Sequence, residues 1–222
     1  MFTVAKMATF PAREGILGKS VDSLLPQVDR LEVYLNKYSF IPDHLIHEKI
    51  RVFLDLPDIG DTGKVYKVPN DCNVFLVDDD IIYPSDYVQH LSDKLEQYNY
   101  RVVVGVHGAS MVNPVKNYFK DRVVIHFRSR LDHDERVNVL GTGTVAYNSN
   151  IVTLDSNGVS SNNMLDCHLA VHCQQNKIPM ICVERPSNWL ASLPTPTSLW
   201  SSRGDGNQQT KIINKIPTWN VF

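Results

Sequence analysis

The chain has no long hydrophobic run: no stretch approaches the roughly 18 apolar residues of a membrane-spanning helix. Its first segment, Met1 to Thr9, has no basic region followed by an apolar signal core. A cytoplasmic protein with no transmembrane segment is expected, at most peripheral to the inner face of a membrane. Cysteine is scarce, and Cys72, Cys167, Cys173 and Cys182 form no CxxC pair, so reduced core thiols are expected in place of a disulfide frame. An excess of one charge is missing too. Lys plus Arg number 22 against 24 Asp plus Glu, a net charge of -2 with no long basic block. That argues against a protein built to grip nucleic-acid phosphates. No internal repeat and no linker divides the 222 residues. With 43% hydrophobic and 21% charged residues the chain has an ordinary globular composition and is long enough to bury its own core.

Strand-like and helix-like patterns alternate from the start. TVAKMATF (3–10) precedes a helical stretch over Glu14 to Leu25; DRLEVYLN (29–36), IRVFL (50–54) and CNVFLVDDD (72–80) are β-branched or aromatic runs. Pro84-Ser85-Asp86 opens a helix whose buried stripe is Val88, Leu91, Leu95 and Tyr98. RVVVGV (101–106) reads as a buried strand, and VVIHF (123–127) with RVNVL (136–140) as the arms of a hairpin or a lid-like excursion. Asn162-Asn163 are placed to cap a helix over Met164 to Asn176, and PMICVE (179–184) returns to the sheet. The stretch WSSRGDGNQQT (200–210) reads as a loop. The order predicts an α/β fold, a mostly parallel mixed sheet flanked by helices.

The chemistry concentrates in VFLVDDDIIYPSDYV (74–88), where an apolar strand delivers Asp78, Asp79 and Asp80 at its carboxyl end. Ligands of open α/β sheets bind at that edge. Alternation places Asp78 and Asp80 on one side and Asp79 on the other. Two carboxylates on one side make a hard oxygen site for Mg²⁺ or Mn²⁺ and, through the metal, for a diphosphate. The plain alternative is a polar turn with a helix cap. Three adjacent carboxylates repel one another unless a cation offsets them, which favours the metal.

Four pieces in order, 7–36, GDTGKVY (60–66), NVFLVDDDIIYP (73–84) and the NNMLD helix, resemble a GT-A glycosyltransferase of the family 2 type over about positions 3–190. The resemblance implies a single GT-A, Rossmann-like domain: a nucleotide-sugar half over about 1–110, an acceptor half over about 111–190 and a tail over 191–222. It implies transfer with inversion from a nucleotide-sugar, a UDP-sugar here, to a glycan acceptor, with Mn²⁺ or Mg²⁺ as cofactor, and a setting such as bacterial surface-polysaccharide synthesis. On that basis Asp78 and Asp80 hold the metal, and Asp79 turns towards the donor ribose or sugar. Thr9, Phe10, Pro11, Ala12 and Arg13 line the nucleotide, and Asn36, Asp61 and Lys64 contact base, ribose or phosphate. Asp166 takes the position of the base that deprotonates the acceptor. The second strand ends in Leu-Asn-Lys where many members have an acid, which leaves the nucleoside open.

His107-Gly108 and Gly141-Thr142-Gly143-Thr144 supply backbone that a sugar can approach, or else tight turns. His168 and His172 stand one helical turn apart but lack the glutamate of a zinc-protease motif; His172 reads as packed, and His168 as a donor or metal contact. Arg185 either approaches the diphosphate or packs on Trp189, and the loop 201–210 either folds over the donor or stays free. The rival readings are a haloacid-dehalogenase-like phosphohydrolase and a non-catalytic nucleotide- or sugar-binding domain. Against the phosphohydrolase, the triplet is not on the first strand, and Ile81-Ile82 stands where Gly-Thr would follow.

Overall fold

Apolar runs of period two form a central sheet, and those of period 3.6 form helices on its two faces. The computed structural model describes residues 1–159, 163–195 and 204–222. The strands are β1 (Thr3–Thr9), β2 (Arg30–Leu35), β3 (Ile50–Phe53), β4 (Asn73–Val77), β5 (Ile81–Ile82), β6 (Val103–Gly105), β7 (Gly108–Met111), β8 (Arg122–Ile125), β9 (Glu135–Val137), β10 (Val139–Leu140), β11 (Thr144–Asn148), β12 (Met180–Cys182) and β13 (Ala191–Ser192). The α-helices are α1 (Glu14–Leu24), α2 (Tyr87–Gln97), α3 (Leu165–Gln175) and α4 (Asn207–Ile213).

Eight strands make the main sheet in the order β3-β2-β1-β4-β11-β6-β12-β9. β3, β2, β1 and β4 are parallel neighbours, as are β6 and β12, whereas β11 and β9 run antiparallel to theirs. The fold is therefore α/β and Rossmann-like, with a mixed, mostly parallel sheet. From β1 the chain steps outward through β2 and β3, then returns to the other side of β1 as β4. The reversal opens a crevice at the carboxyl ends of β1 and β4, the position where such sheets bind ligands.

Alternation along β1 and β4 sorts the core into two layers. Ala5, Met7, Phe75 and Val77 face Leu17, Val21 and Leu24 of α1 and Leu91 and Leu95 of α2. Val4, Val74 and Leu76 face Leu165, Leu169 and Cys173 of α3 and Ile212 and Ile213 of α4. Each such buried aliphatic side chain contributes about 1.5–3 kcal/mol. The cysteines are buried and free, as expected.

Three expectations from the sequence need correction. The segments 123–127 and 136–140 do not pair with each other: β8 pairs with β7, β10 with the other edge of β7, and β9 with β12 at the edge of the main sheet. Nearness in sequence suggested a hairpin, but burial of Val137, Val139 and Leu140 against distant partners decides the pairing. The loop expected over 200–210 lies outside the described residues as far as 203; Asn207–Ile213 is helical and seats Ile212 and Ile213 on the α3 layer. The proposed cap of α3 needs correction at Asn163, whose Oδ1 accepts the Asp61 N–H at 3.2 Å, while Asn162 lies outside the described residues; Met164, at the helix entrance, makes no side-chain cap. The carboxylate of Asp61 accepts the Leu165 N–H instead, at 3.0 Å. Among the described residues no helix is long and apolar enough to cross a membrane.

Candidate active site

β4 stops pairing at Val77, and the next three residues divide by exposure as alternation predicts. Asp79 turns inward, its side chain 9% exposed, while those of Asp78 and Asp80 are 39% and 27% exposed beside the crevice. Thr9, at the end of β1, donates its hydroxyl to Asp79 Oδ2 at 2.7 Å, and Arg13 lies 3.7 Å from Asp79 Oδ1. Burial raises the Asp79 pKa to about 6 against the opposing pull of Thr9 and Arg13. Asp79 thus ties β1 to β4, with Thr9 and Arg13 on its two oxygens. Pro11 is exposed and starts the short turn Pro11–Arg13, which brings Arg13 inward to donate to Asp80 at 2.6 Å. Burial and the neighbouring Asp78 both push the Asp80 pKa upward, against Arg13.

Lys64 comes from the 3₁₀ turn Gly60–Val65. The turn packs flat on the Tyr34 ring because residue 63 is glycine; a Cβ there would sit 2.6 Å from the ring. Lys64 Nζ, buried, donates to Asp78 Oδ1 and to the Thr142 carbonyl, the latter at 3.2 Å. Burial pulls its pKa down; Asp78 first, then Asp61 and Asp166, more than reverse this. Asp78 in turn lies over Gly143, where a Cβ would come within 2.0 Å of its Oδ2. Tyr83 locks the two together. Its hydroxyl accepts the Asp78 N–H at 2.8 Å and donates to the Gly143 carbonyl at 2.6 Å. Sequence reasoning passed over Tyr83; the signal was an amphipathic ring just after the triplet, in a segment too apolar to leave its hydroxyl without a partner.

Asp166 sits in the first turn of α3 and receives both the Thr142 N–H, at 2.8 Å, and the Thr142 hydroxyl, at 2.6 Å, on Oδ1. Thr142 therefore links Lys64, through its carbonyl, to Asp166, through its donors. Asp61 is half-buried beside them. Burial raises its pKa to about 6, with Lys64 opposing and Asp166 reinforcing the shift. Its carboxylate holds the entrance of α3.

The remaining candidates make contacts within the chain. Both ends of the Asn36 amide are engaged: Oδ1 accepts the N–H groups of Ile59 and Gly60 at 3.0 and 3.1 Å, and Nδ2 donates to the Gly60 carbonyl at 3.1 Å. It shapes the loop that presents Lys64. Gly108 packs under Cys182 and Val137, each 3.2 Å from a hypothetical Cβ, and is a packing glycine. Gly141 lies against the His107 ring. His168 is buried, and burial with Lys215, not the acids, lowers its pKa. Arg185 donates to the Val183 and His126 carbonyls at 2.7 and 3.0 Å, and Trp189 instead packs on Tyr87 and His90 and donates to Asp86. A hollow of about 700 Å³ opens elsewhere, between α1 and α2, lined by Asp22, Gln27 and Gln89 and by none of the acids above.

Five carboxylates (Asp61, Asp78, Asp79, Asp80, Asp166) thus surround two cations, Lys64 and Arg13. Among the described residues no group of three His, Cys, Asp or Glu side chains forms a ready cage for a metal ion. The half-open pair Asp78 and Asp80 suits the other mode of binding, in which one or two carboxylates share Mg²⁺ or Mn²⁺ with phosphate oxygens of a substrate. Compared with known proteins, the chain matches no family model and no curated protein.

Proposed function

We propose that the chain is an inverting glycosyltransferase of the GT-A, family 2 type, moving a sugar from a nucleotide-sugar, in the first instance a UDP-sugar, to a glycan acceptor. One observation carries this reading. Asp78 and Asp80 open at the β1/β4 reversal, and Asp166 is joined to Asp78 through Thr142 and Lys64.

A divalent cation held by Asp78 and Asp80 would neutralise the departing diphosphate. The chain's own groups supply the rest. Thr142 fixes Asp166 through Oδ1, and no described residue donates a hydrogen bond to Oδ2. The acceptor hydroxyl gives its proton to Oδ2 as its oxygen bonds to the anomeric carbon; the bond from that carbon to the diphosphate oxygen breaks on the opposite face, so the configuration inverts. The two hydrogen bonds from Thr142 fix the position of that carboxylate.

Thermal unfolding with nucleoside diphosphates, with and without Mn²⁺, tests the donor half. A diphosphate present at about 100 times its dissociation constant adds about 2.7 kcal/mol of stability. The expected pattern is stabilisation by UDP only with metal, lost in Asp80→Ala and kept in Asp166→Asn, which instead loses transfer. Metal-dependent stabilisation that survives in Asp80→Ala would sink the proposal. Phosphatase turnover with no transfer would favour the hydrolase.

A further inference from the structure

A cluster of arginines and histidines lies beside Asp166. Arg122 is on β8, the edge strand of the small sheet β10-β7-β8, with its guanidinium 4.2 Å from the centre of the Tyr118 ring. His107 directly precedes β7 and His126 directly follows β8. Their antiparallel register sets the two rings edge to face, 5.5 Å apart. Arg185 reaches the backbone of the same corner, its NH2 3.0 Å from the His126 carbonyl.

Among the described residues no carboxylate lies within ion-pair distance of Arg122, Arg128 or Arg185. The adjacent Asp121 is turned to the N–H groups of Lys116 and Asn117, at 2.8 and 2.7 Å. Three nitrogens of the cluster, Arg122 Nε, Arg185 Nε and His107 Nδ1, are buried with no hydrogen-bond partner. A buried polar nitrogen left without a partner is costly, and an incoming oxyanion offsets that cost with hydrogen bonds.

Its position relative to the reaction follows from shared neighbours. Tyr118 and Cys167 feel both Asp166 and Arg122, and the His107 ring packs on Gly141, next to the threonine that holds Asp166. The cluster thus borders Asp166. We propose that Arg122, with His107 and His126, seats an oxyanion, a carboxylate or phosphate, on the acceptor. The word acceptor rests on the transferase reading; the anion site itself does not.

Isothermal titration of the full chain with inorganic phosphate, glucuronate and neutral glucose tests the site without donor or turnover. A dissociation constant on the order of 1 mM is expected for phosphate, glucuronate or both, and no heat with glucose. Arg122→Gln should weaken binding at least about tenfold, Arg122→Lys should keep part of it, and Asp80→Asn should leave it unchanged. Binding of phosphate alone assigns a phosphate-bearing acceptor; glucuronate alone assigns a uronate-like one. If Arg122→Gln does not fold, weakening in His126→Gln, at an exposed residue, takes its place. Absence of binding by both anions overturns the site, as does equal binding of glucose, unchanged binding in the folded Arg122 or His126 variant, or loss in Asp80→Asn. Failure of UDP with Mn²⁺ alongside intact anion binding would strike the transferase reading and leave the anion site standing.

Discussion

Two buried lysines, each paired with one carboxylate, show how the molecule separates structure from chemistry. Lys6 and Glu32 face each other across the β1–β2 register, 2.6 Å apart, with side chains 1% and 0% exposed. The Tyr66 carbonyl also accepts from Lys6, and Arg30 supports Glu32 at 3.1 Å. Lys64 is as buried as Lys6, but its partner Asp78 is 39% exposed. Burial lowers the Lys6 pKa in spite of Glu32, whereas acids on several sides raise that of Lys64. The first pair is sealed inside the sheet and can only stabilise or destabilise it. The second opens at the sheet's carboxyl edge, where a ligand can compete for Asp78.

Breaking the sealed pair should have the largest effect. Lys6→Met strands the Glu32 charge inside the sheet, and removing one partner of a buried pair costs about 3–5 kcal/mol. Arg30 and Arg51 near Glu32 place the expected loss at the lower end of that range. Urea denaturation at neutral pH checks it. A loss under about 1 kcal/mol would mean that the pair is not closed to water.

The next effect depends on pH. Burial, then His126 and the nearby arginines, lower the His107 pKa to about 4, so the native ring is neutral at pH 7. An unfolded histidine titrates near 6.5. Between these values the unfolded chain binds more protons. The stability linked to His107 is therefore complete above about pH 6.5 and declines as the pH falls towards 4, by on the order of 3 kcal/mol. Asp61 runs the other way: with its pKa raised to about 6, its contribution falls as the pH rises from about 4 to about 6. The two partly cancel in the wild type. The difference in unfolding midpoint between wild type and His107→Gln isolates the histidine, and a difference that stays flat from pH 7 to 4.5 contradicts the shift.

The open pair can be perturbed without touching a charge. Gly143→Ala drives a methyl group into the Asp78 carboxylate. Such overpacking costs about 1–3 kcal/mol. The same change should displace Asp78 from Lys64 and remove metal-dependent stabilisation by UDP. Retention of that stabilisation at wild-type strength would separate Asp78 from the metal.

Much of the fold was legible because local patterns agreed with burial. Val88, Leu91 and Leu95 marked α2, and the apolar run before the triplet marked β4 as a central strand. The candidate site was legible in part, since Asp78, Asp80, Lys64, Thr142 and Asp166 do come together. What escaped depended on contacts distant in sequence. Asp61 caps a helix more than a hundred residues away, Asn36 is consumed by the loop at Ile59 and Gly60, and Asp79 is closed by Thr9. A side chain's type shows that it needs a partner; only the packed chain decides which one it finds. The helix at 207–213 escaped for a related reason. Its apolar residues, Ile212 and Ile213, fall in the last turn, too late to set up a period.

The smallest expected effect returns to the first comparison. Lys64→Met is chemically the same substitution as Lys6→Met, at a position equally buried. It relieves the desolvation of a buried ammonium and leaves behind a carboxylate that water can reach, so the stability change should lie within about 1 kcal/mol of zero. If both lysine variants lose several kcal/mol, Asp78 is not open as its exposure indicates, and the distinction between a sealed and an available pair fails. If only Lys6→Met does, the exposure of the partner carboxylate decides what a buried lysine is for. Metal-dependent binding of UDP to Lys64→Met then tests the availability directly: release of Asp78 from its internal cation should leave that binding intact or strengthen it, and its loss would make Lys64 a direct contact of the diphosphate.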